Sequence, residues 1–187
     1  MLFVVAVTGA SGSVYARHLL GELKRGGHET YLLISDQAKK VMESENEDLQ
    51  RFMELATRTY LEHDLDSPVS SGSVKTAGMI IVPCSMKTVS CIAHGLSGNA
   101  ITRAADVTLK ERRPVILVPR ETPLSVIHLR NLLRVAEAGA IVLPAMPAFY
   151  TRPRSVDDMV NFIVGRILDL LNVPHSLYRR WGETDLT

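Results

Sequence analysis

Phosphate chemistry is suggested first by Thr8-Gly9-Ala10-Ser11-Gly12-Ser13, small and hydroxyl residues placed directly after the apolar run Leu2–Val7. A strand that feeds a helix through such a loop offers backbone N–H groups and a helix N-terminus to an anion. The loop lacks the third glycine of the dinucleotide fingerprint and the Gly-Lys-Ser/Thr ending of a P-loop. A single phosphate ester suits it better, although Asp36, beside Ser35, has the chemistry to hold a ribose. A plain strand–turn–helix junction is the alternative reading.

Cys84-Ser85-Met86-Lys87-Thr88 offers hydroxyls and amides at a second strand end. The same residues also read as a helix capped by Ser85 with Cys84 in the core. Arg120-Glu121 stands between two prolines immediately after an apolar run, so the charged pair is held at a strand end. Arg103 and Lys110 are seven apart and share one helical face, which can turn toward a cleft; Lys110-Glu111-Arg112-Arg113 also simply suits a helix C-terminus. Tyr150 and Arg152 follow a proline-braced loop. Arg166, beside Ile163 and Ile167, reads as a surface residue with a packed stem or as an anion clamp, and the surface reading is the simpler.

The elements that must position these residues are legible from periodicity. Strands are expected at Leu2–Val7, Glu29–Ile34, Met79–Val82 (broken by Pro83), Val115–Val118 and Ala140–Leu143. Helices are expected at Val14–Arg25, from Asp36 to about Met42, at Val89–His94, Asn99–Arg112, from Thr122-Pro123 to about Ala138, and after the capping-box-like Ser155-x-x-Asp158. The charged stretch Glu43–Glu62 reads as a helix packed on one side or the mobile cover of a cleft, and His63–Thr76 as loop. Five strands alternating with helices imply an α/β fold, a parallel sheet covered on both faces. Ligands then bind at the carboxyl ends of the strands, where the strings above fall.

At 187 residues and 46% hydrophobic content, the chain is long enough for one domain with its own core. A net charge of +1 argues against nucleic-acid binding through a general basic surface. No apolar run reaches membrane-spanning length, and the opening residues lack a signal-peptide pattern, so neither membrane nor nucleic acid is expected as a partner. Cys84 and Cys91 are not spaced as a metal or redox pair, and the expected location is the cytoplasm.

Taken together, the chain resembles the UbiX family of flavin prenyltransferases, once labelled aromatic-acid decarboxylases. The matching strings are TGASG at Thr8–Gly12, SSGS at Ser70–Ser73, PCSMKT at Pro83–Thr88, TRAADVTLKERRPVILVPRETP at Thr102–Pro123, PAFY at Pro147–Tyr150 and RW at Arg180-Trp181. The resemblance covers nearly the whole chain. It implies a flavodoxin-like, Rossmann-like three-layer fold over 1–187, with the tail from about 172 packed on a neighbouring subunit or over the active site. It also implies bound FMN and a homododecamer with active sites at subunit junctions.

The implied reaction moves a dimethylallyl group from dimethylallyl monophosphate to N5 and C6 of reduced FMN, and the prenylated FMN passes to a UbiD-type decarboxylase. No metal is implied. By the same resemblance, FMN contacts fall on Gly9, Ala10, Ser11, Ser35, Ser85, Met86, Lys87, Thr88 and Arg120. Donor contacts fall on Arg103, Lys110, Tyr150, Arg166 and Trp181, and catalytic roles on Ser11, Glu45, Lys110 and Glu121. The resemblance thus sets aside the simpler readings of Lys110, Arg166 and the Glu45 stretch. Ser13 and Val14 depart from the side chains expected there. The rival reading is an FMN-dependent decarboxylase of the cysteine-decarboxylating type, which shares the fold but has no use for the Lys110, Tyr150 and Arg166 clamp; a non-enzymatic flavin carrier has no use for it either.

Overall fold

The apolar run at the start of the chain becomes β1 (Leu2–Val7), the strand around which both cores form. Its side chains alternate between the two faces of the sheet, as a pleated strand requires. Phe3, Val5 and Val7 join one core, and Val4 and Ala6 the other. The structure, a computed structural model, describes residues 1–182.

From β1 the chain runs through α1 (Ser13–Arg25), β2 (Glu29–Ile34), α2 (Asp36–Ser44), α3 (Leu49–Leu55) and β3 (Arg58–Leu61). A single 3-10 turn at Pro68–Ser70 precedes β4 (Gly78–Cys84), α4 (Met86–Ala93), α5 (Ala100–Lys110), β5 (Val115–Pro119), α6 (Val126–Glu137), β6 (Ile141–Val142) and α7 (Val156–Leu170). The strands pair in parallel in the order β3-β2-β1-β4-β5-β6. The fold is therefore the expected flavodoxin-like α/β arrangement, doubly wound, with α1, α2, α3 and α7 packed in one core and α4, α5 and α6 in the other.

Several expectations are corrected. Among the described residues the sheet has six strands rather than five, because β3 lies inside the stretch read as a helix or cover. Its Arg58 and Leu61 are exposed at the sheet edge, so no buried run betrays it. Pro83 does not break its strand: β4 continues through it to Cys84, with a register irregularity between Ile81 and Cys84. Helix α4 begins at Met86, where the Ser85 hydroxyl caps it by accepting the Thr88 N–H. Helix α6 starts at Val126 rather than at Thr122-Pro123. The reciprocal capping box of Ser125 and His128 supplies the partners that open a helix, and it sits later in the chain. The expected box of Ser155 and Asp158 does open α7.

Beyond α7 the chain folds back on that helix as far as Arg180, and Trp181 then meets Tyr150; residues 183–187 of the expected tail lie outside the described residues. Among the described residues, no helix is long and apolar enough to cross a membrane.

Candidate functional site

The strand order reverses between β1 and β4. In open parallel sheets, the crevice at the carboxyl ends of two such strands receives the ligand. Here Thr8 ties the two ends together: its Oγ1 donates to the Pro83 carbonyl (2.9 Å) and accepts the Ser85 N–H (2.7 Å). Around that tie lies a cleft of about 280 Å³ lined by Thr8, Gly9, Ser35, Gln37, Glu62, Ser85, Lys87, Thr88, Asn99 and Ile101.

Five of the nine expected flavin contacts, Gly9, Ser35, Ser85, Lys87 and Thr88, line this cleft. Ser85 Oγ lies 3.0 Å from Thr88 Oγ1, and Ser35 caps α2 by accepting the Ala38 N–H. Gly9 passes so close to α2 that a Cβ there would stand 2.6 Å from Gln37 Cβ. Ala10 and Ser11 continue the loop, and Arg120 Nε donates to the Ser11 carbonyl at 3.3 Å. Met86 is different: its side chain is buried in the core with Val89 and Ala105. Glu121, exposed at the surface, accepts the Thr122 N–H.

The N-terminus of α1, where the sequence suggests a phosphate, is filled by the chain's own carboxylate. Glu45 Oε1 accepts the Gly12 N–H (2.7 Å), while Oε2 accepts the Ser13 N–H (2.9 Å) and the Ser13 hydroxyl (2.5 Å). Gly12 makes this possible, since it holds φ at +107° while presenting its amide. Burial alone would raise the Glu45 pKa; hydrogen bonds from the Ser11 and Ser13 hydroxyls and the two amides hold it below its ordinary value instead. Ser13, one of the departures noted in the sequence, is thus part of this clamp.

Three polar cleft residues were missed by sequence reasoning, as was the apolar Ile101. Glu62 follows β3; its Oε1 accepts the Asp36 N–H at 2.7 Å and its Oε2 accepts Asn99 Nδ2 at 2.6 Å, so it joins the starts of α2 and α5. Gln37 and Asn99 are the others. The Asn99-x-x-Thr102 spacing is a capping signal that would have marked Asn99. Asp36, Glu62 and His63 also come within metal-ligating distance of one another. Their carboxylates are already engaged, since Asp36 pairs with His63 (2.8 Å) and Lys39 (3.2 Å).

The expected donor contacts gather in two places. Arg103 and Lys110 share a face of α5, as their spacing predicts, and that face meets the Ser70–Ser73 loop. Arg103 Nε donates to the Ser70 carbonyl, and Lys110 Nζ pairs with Glu111 beside Gly72. Tyr150, Arg166 and Trp181 gather around α7. The Trp181 ring meets Tyr150 edge-on at 5.1 Å, and Tyr150 meets Phe162 at 6.1 Å. Arg166 Nη1 lies 3.3 Å from both Asp169 Oδ2 and Tyr178 Oη. Burial opposes ionisation of Asp169, yet bonds from Arg180, Tyr178 and His175 lower its pKa to about 2. Because α5 and α7 pack in cores on opposite faces of the sheet, one chain does not bring the two groups together.

The chain resembles known proteins over nearly its whole length. The Flavoprotein family profile matches residues 2–168. The flavin prenyltransferase UbiX of Thermoplasma acidophilum is 52% identical over 97% of this chain and 100% of its own. The crystal structure of AnUbiX (PadA1) with FMN and dimethylallyl pyrophosphate superposes with a TM-score of 0.95 at 43% identity, covering 98% of each chain. A dodecameric FMN-dependent UbiX-like decarboxylase from Escherichia coli O157:H7 gives a TM-score of 0.95 at 42% identity, over 98% of this chain and 100% of that one. With its sheet, its cleft and these likenesses in agreement, the chain belongs to the UbiX flavin prenyltransferases of the Flavoprotein family.

Proposed function

We propose that this chain transfers the dimethylallyl group of dimethylallyl monophosphate to N5 and C6 of reduced FMN, releasing phosphate and prenylated FMN for a UbiD-type decarboxylase. The observation that carries the reading is the cleft at the β1–β4 crevice, where hydroxyls, amides and Lys87 converge. Its size is at the lower end of small-molecule sites, roughly 300–1,000 Å³, which suits the phosphate and ribityl end of a mononucleotide. Gly9, Ala10, Ser11, Ser35, Ser85, Met86, Lys87, Thr88 and Arg120 hold the cofactor in this reading, Met86 through its backbone. Reduced FMN, when bound, supplies the electron-rich ring that takes the prenyl group.

The protein's own residues then have two tasks. Arg103, Lys110, Tyr150 and Arg166 bind the donor phosphate and stabilise its developing charge as the allylic C–O bond breaks, and Trp181 covers the place. Since α5 and α7 lie on opposite faces of the sheet, both groups serve one phosphate only when different copies of the chain supply them. That requirement supports a homo-oligomer with sites at subunit junctions. The Ser11 hydroxyl, hydrogen-bonded to the ionised Glu45 carboxylate, carries the proton beside the loop; Glu121 stands near Arg120 on the same rim. The rival decarboxylase reading leaves the two cationic groups without a task.

The direct test is anaerobic incubation of the protein with reduced FMN and dimethylallyl monophosphate, with the pyrophosphate in a parallel arm, followed by mass spectrometry of the flavin. A gain of one five-carbon unit is expected. Release of carbon dioxide from a cysteinyl or aromatic acid, with no flavin mass change, would reject the proposal.

A second expectation concerns Glu62. Glu62→Gln puts an amide donor against either the Asp36 N–H or Asn99 Nδ2, so one of the two bonds is lost. A net hydrogen bond is worth about 1 kcal/mol, so FMN affinity is expected to fall about fivefold. Adding Asn99→Asp restores a donor–acceptor pair and should recover the affinity in a flavin fluorescence titration.

A further inference from the structure

One carboxylate gathers nearly the whole segment that follows α7. Asp169 Oδ1 accepts His175 Nε2 (3.0 Å) and Arg180 Nη2 (2.7 Å), and Oδ2 accepts the Tyr178 hydroxyl (2.5 Å) and Arg166 Nη1 (3.3 Å). The contact is close as well as polar. Tyr178 and His175 lie over Gly165, where a Cβ would stand 2.5 Å from Tyr178 Cδ1 and 2.8 Å from His175 Cε1. Tyr178 also packs on Phe162 at 5.0 Å, and the Arg180 guanidinium lies 5.7 Å above the Tyr178 ring. Three residues past Tyr178, the same segment delivers Trp181 to Tyr150.

We propose that Asp169 is a positioning residue: it latches the 173–182 segment onto α7 and thereby sets Arg166 and Trp181 for the donor phosphate. The inference rests on the reading of Arg166 and Tyr150 as donor contacts. Asp169 takes only one N–H of the Arg166 guanidinium, Nη1, so its fork geometry is oriented while other donors stay available to an anion. Its other partners on the segment, His175, Tyr178 and Arg180, fix the tail rather than the flavin cleft. Loss of the latch is therefore expected to cost donor binding and to spare FMN.

The test uses the FMN-loaded protein and exploits the single tryptophan of the chain. Trp181 is 81% exposed, so its emission maximum will move little; its time-resolved anisotropy reports whether the tail is held. Asp169→Asn keeps the shape of the side chain and weakens the charged contacts. Gly165→Ala leaves the carboxylate alone and pushes Tyr178 and His175 away. Both variants are expected to add a fast component to the Trp181 anisotropy decay. Both should also lower kcat/KM for dimethylallyl monophosphate at least about tenfold, with kcat falling as Arg166 loses its orientation and FMN affinity unchanged.

An unchanged decay in both variants overturns the latch. A released tail with an unchanged kcat/KM overturns the positioning role. If the parent protein itself fails to prenylate FMN, the reading of the reaction falls, while the anisotropy result still decides whether the latch exists.

Discussion

Co-expression of two inactive variants, Lys110→Ala and Arg166→Ala, should restore prenyl transfer that neither shows alone. Each substitution removes a cation proposed to face the developing phosphate charge, and loss of one such donor costs about 10²–10³-fold in rate. Each variant alone should still bind FMN, because the β1–β4 cleft contains neither residue. In a random one-to-one assembly, about one site in four would combine an intact Lys110 from one copy with an intact Arg166 from another, if the closed assembly brings the two faces together. The five-carbon gain in flavin mass, measured per flavin, reads the recovery. No recovery above either parent would mean that both residues act from one chain, contrary to their placement on opposite faces of the sheet.

The second large effect is expected at Glu45. Its carboxylate takes two backbone N–H groups at the start of α1 and the Ser13 hydroxyl. Hydrogen bonds to a charged group contribute about 1.5–3 kcal/mol each, and an orphaned helix N-terminus adds to the loss. Glu45→Ala should therefore destabilise the protein by about 2–4 kcal/mol in urea unfolding, with Glu45→Gln intermediate because one oxygen still accepts. The pH dependence has a definite sign. The folded pKa lies below the ordinary 4.5, so this stabilisation is complete above that value and is lost as pH falls through the folded pKa. Glu45→Gln should flatten this part of the stability profile on the acid side. Because the proposed relay runs through the Ser11 hydroxyl bonded to this carboxylate, kcat is also expected to fall about a hundredfold in Glu45→Gln.

Much of this was legible in the residues themselves. The buried run before Thr8, the capping signal at Ser155 and the hydroxyls at strand ends each carry their own local physics, and each appears where expected. The missed strand β3 shows the limit. Arg-Thr-Tyr-Leu at the sheet edge has two exposed residues and two half-buried ones, so its alternation was submerged in the charged stretch around it. Glu62 was missed for the same reason, because its role depends on the strand that precedes it. The Glu45 clamp was illegible from pattern alone: the carboxylate reaches amides 32 and 33 residues away in the chain. The glycine-rich loop looked ready for an external anion, and only the fold reveals that an internal one is already there. The split of the donor contacts was hidden too, since helical spacing says which residues share a face and nothing about which side of the sheet receives it.

The rims of the sheet have a consequence for how copies of this chain can meet. One rim is the four-residue β3, with the Arg58 guanidinium 5.6 Å above the Tyr31 ring, and the other is the two-residue β6. Neither offers a long row of unpaired peptide groups onto which another molecule could add a strand. Growth by end-to-end strand addition, the common route to fibrils, is thereby discouraged, and self-association is steered toward side-chain surfaces, where geometry can close a shell and stop.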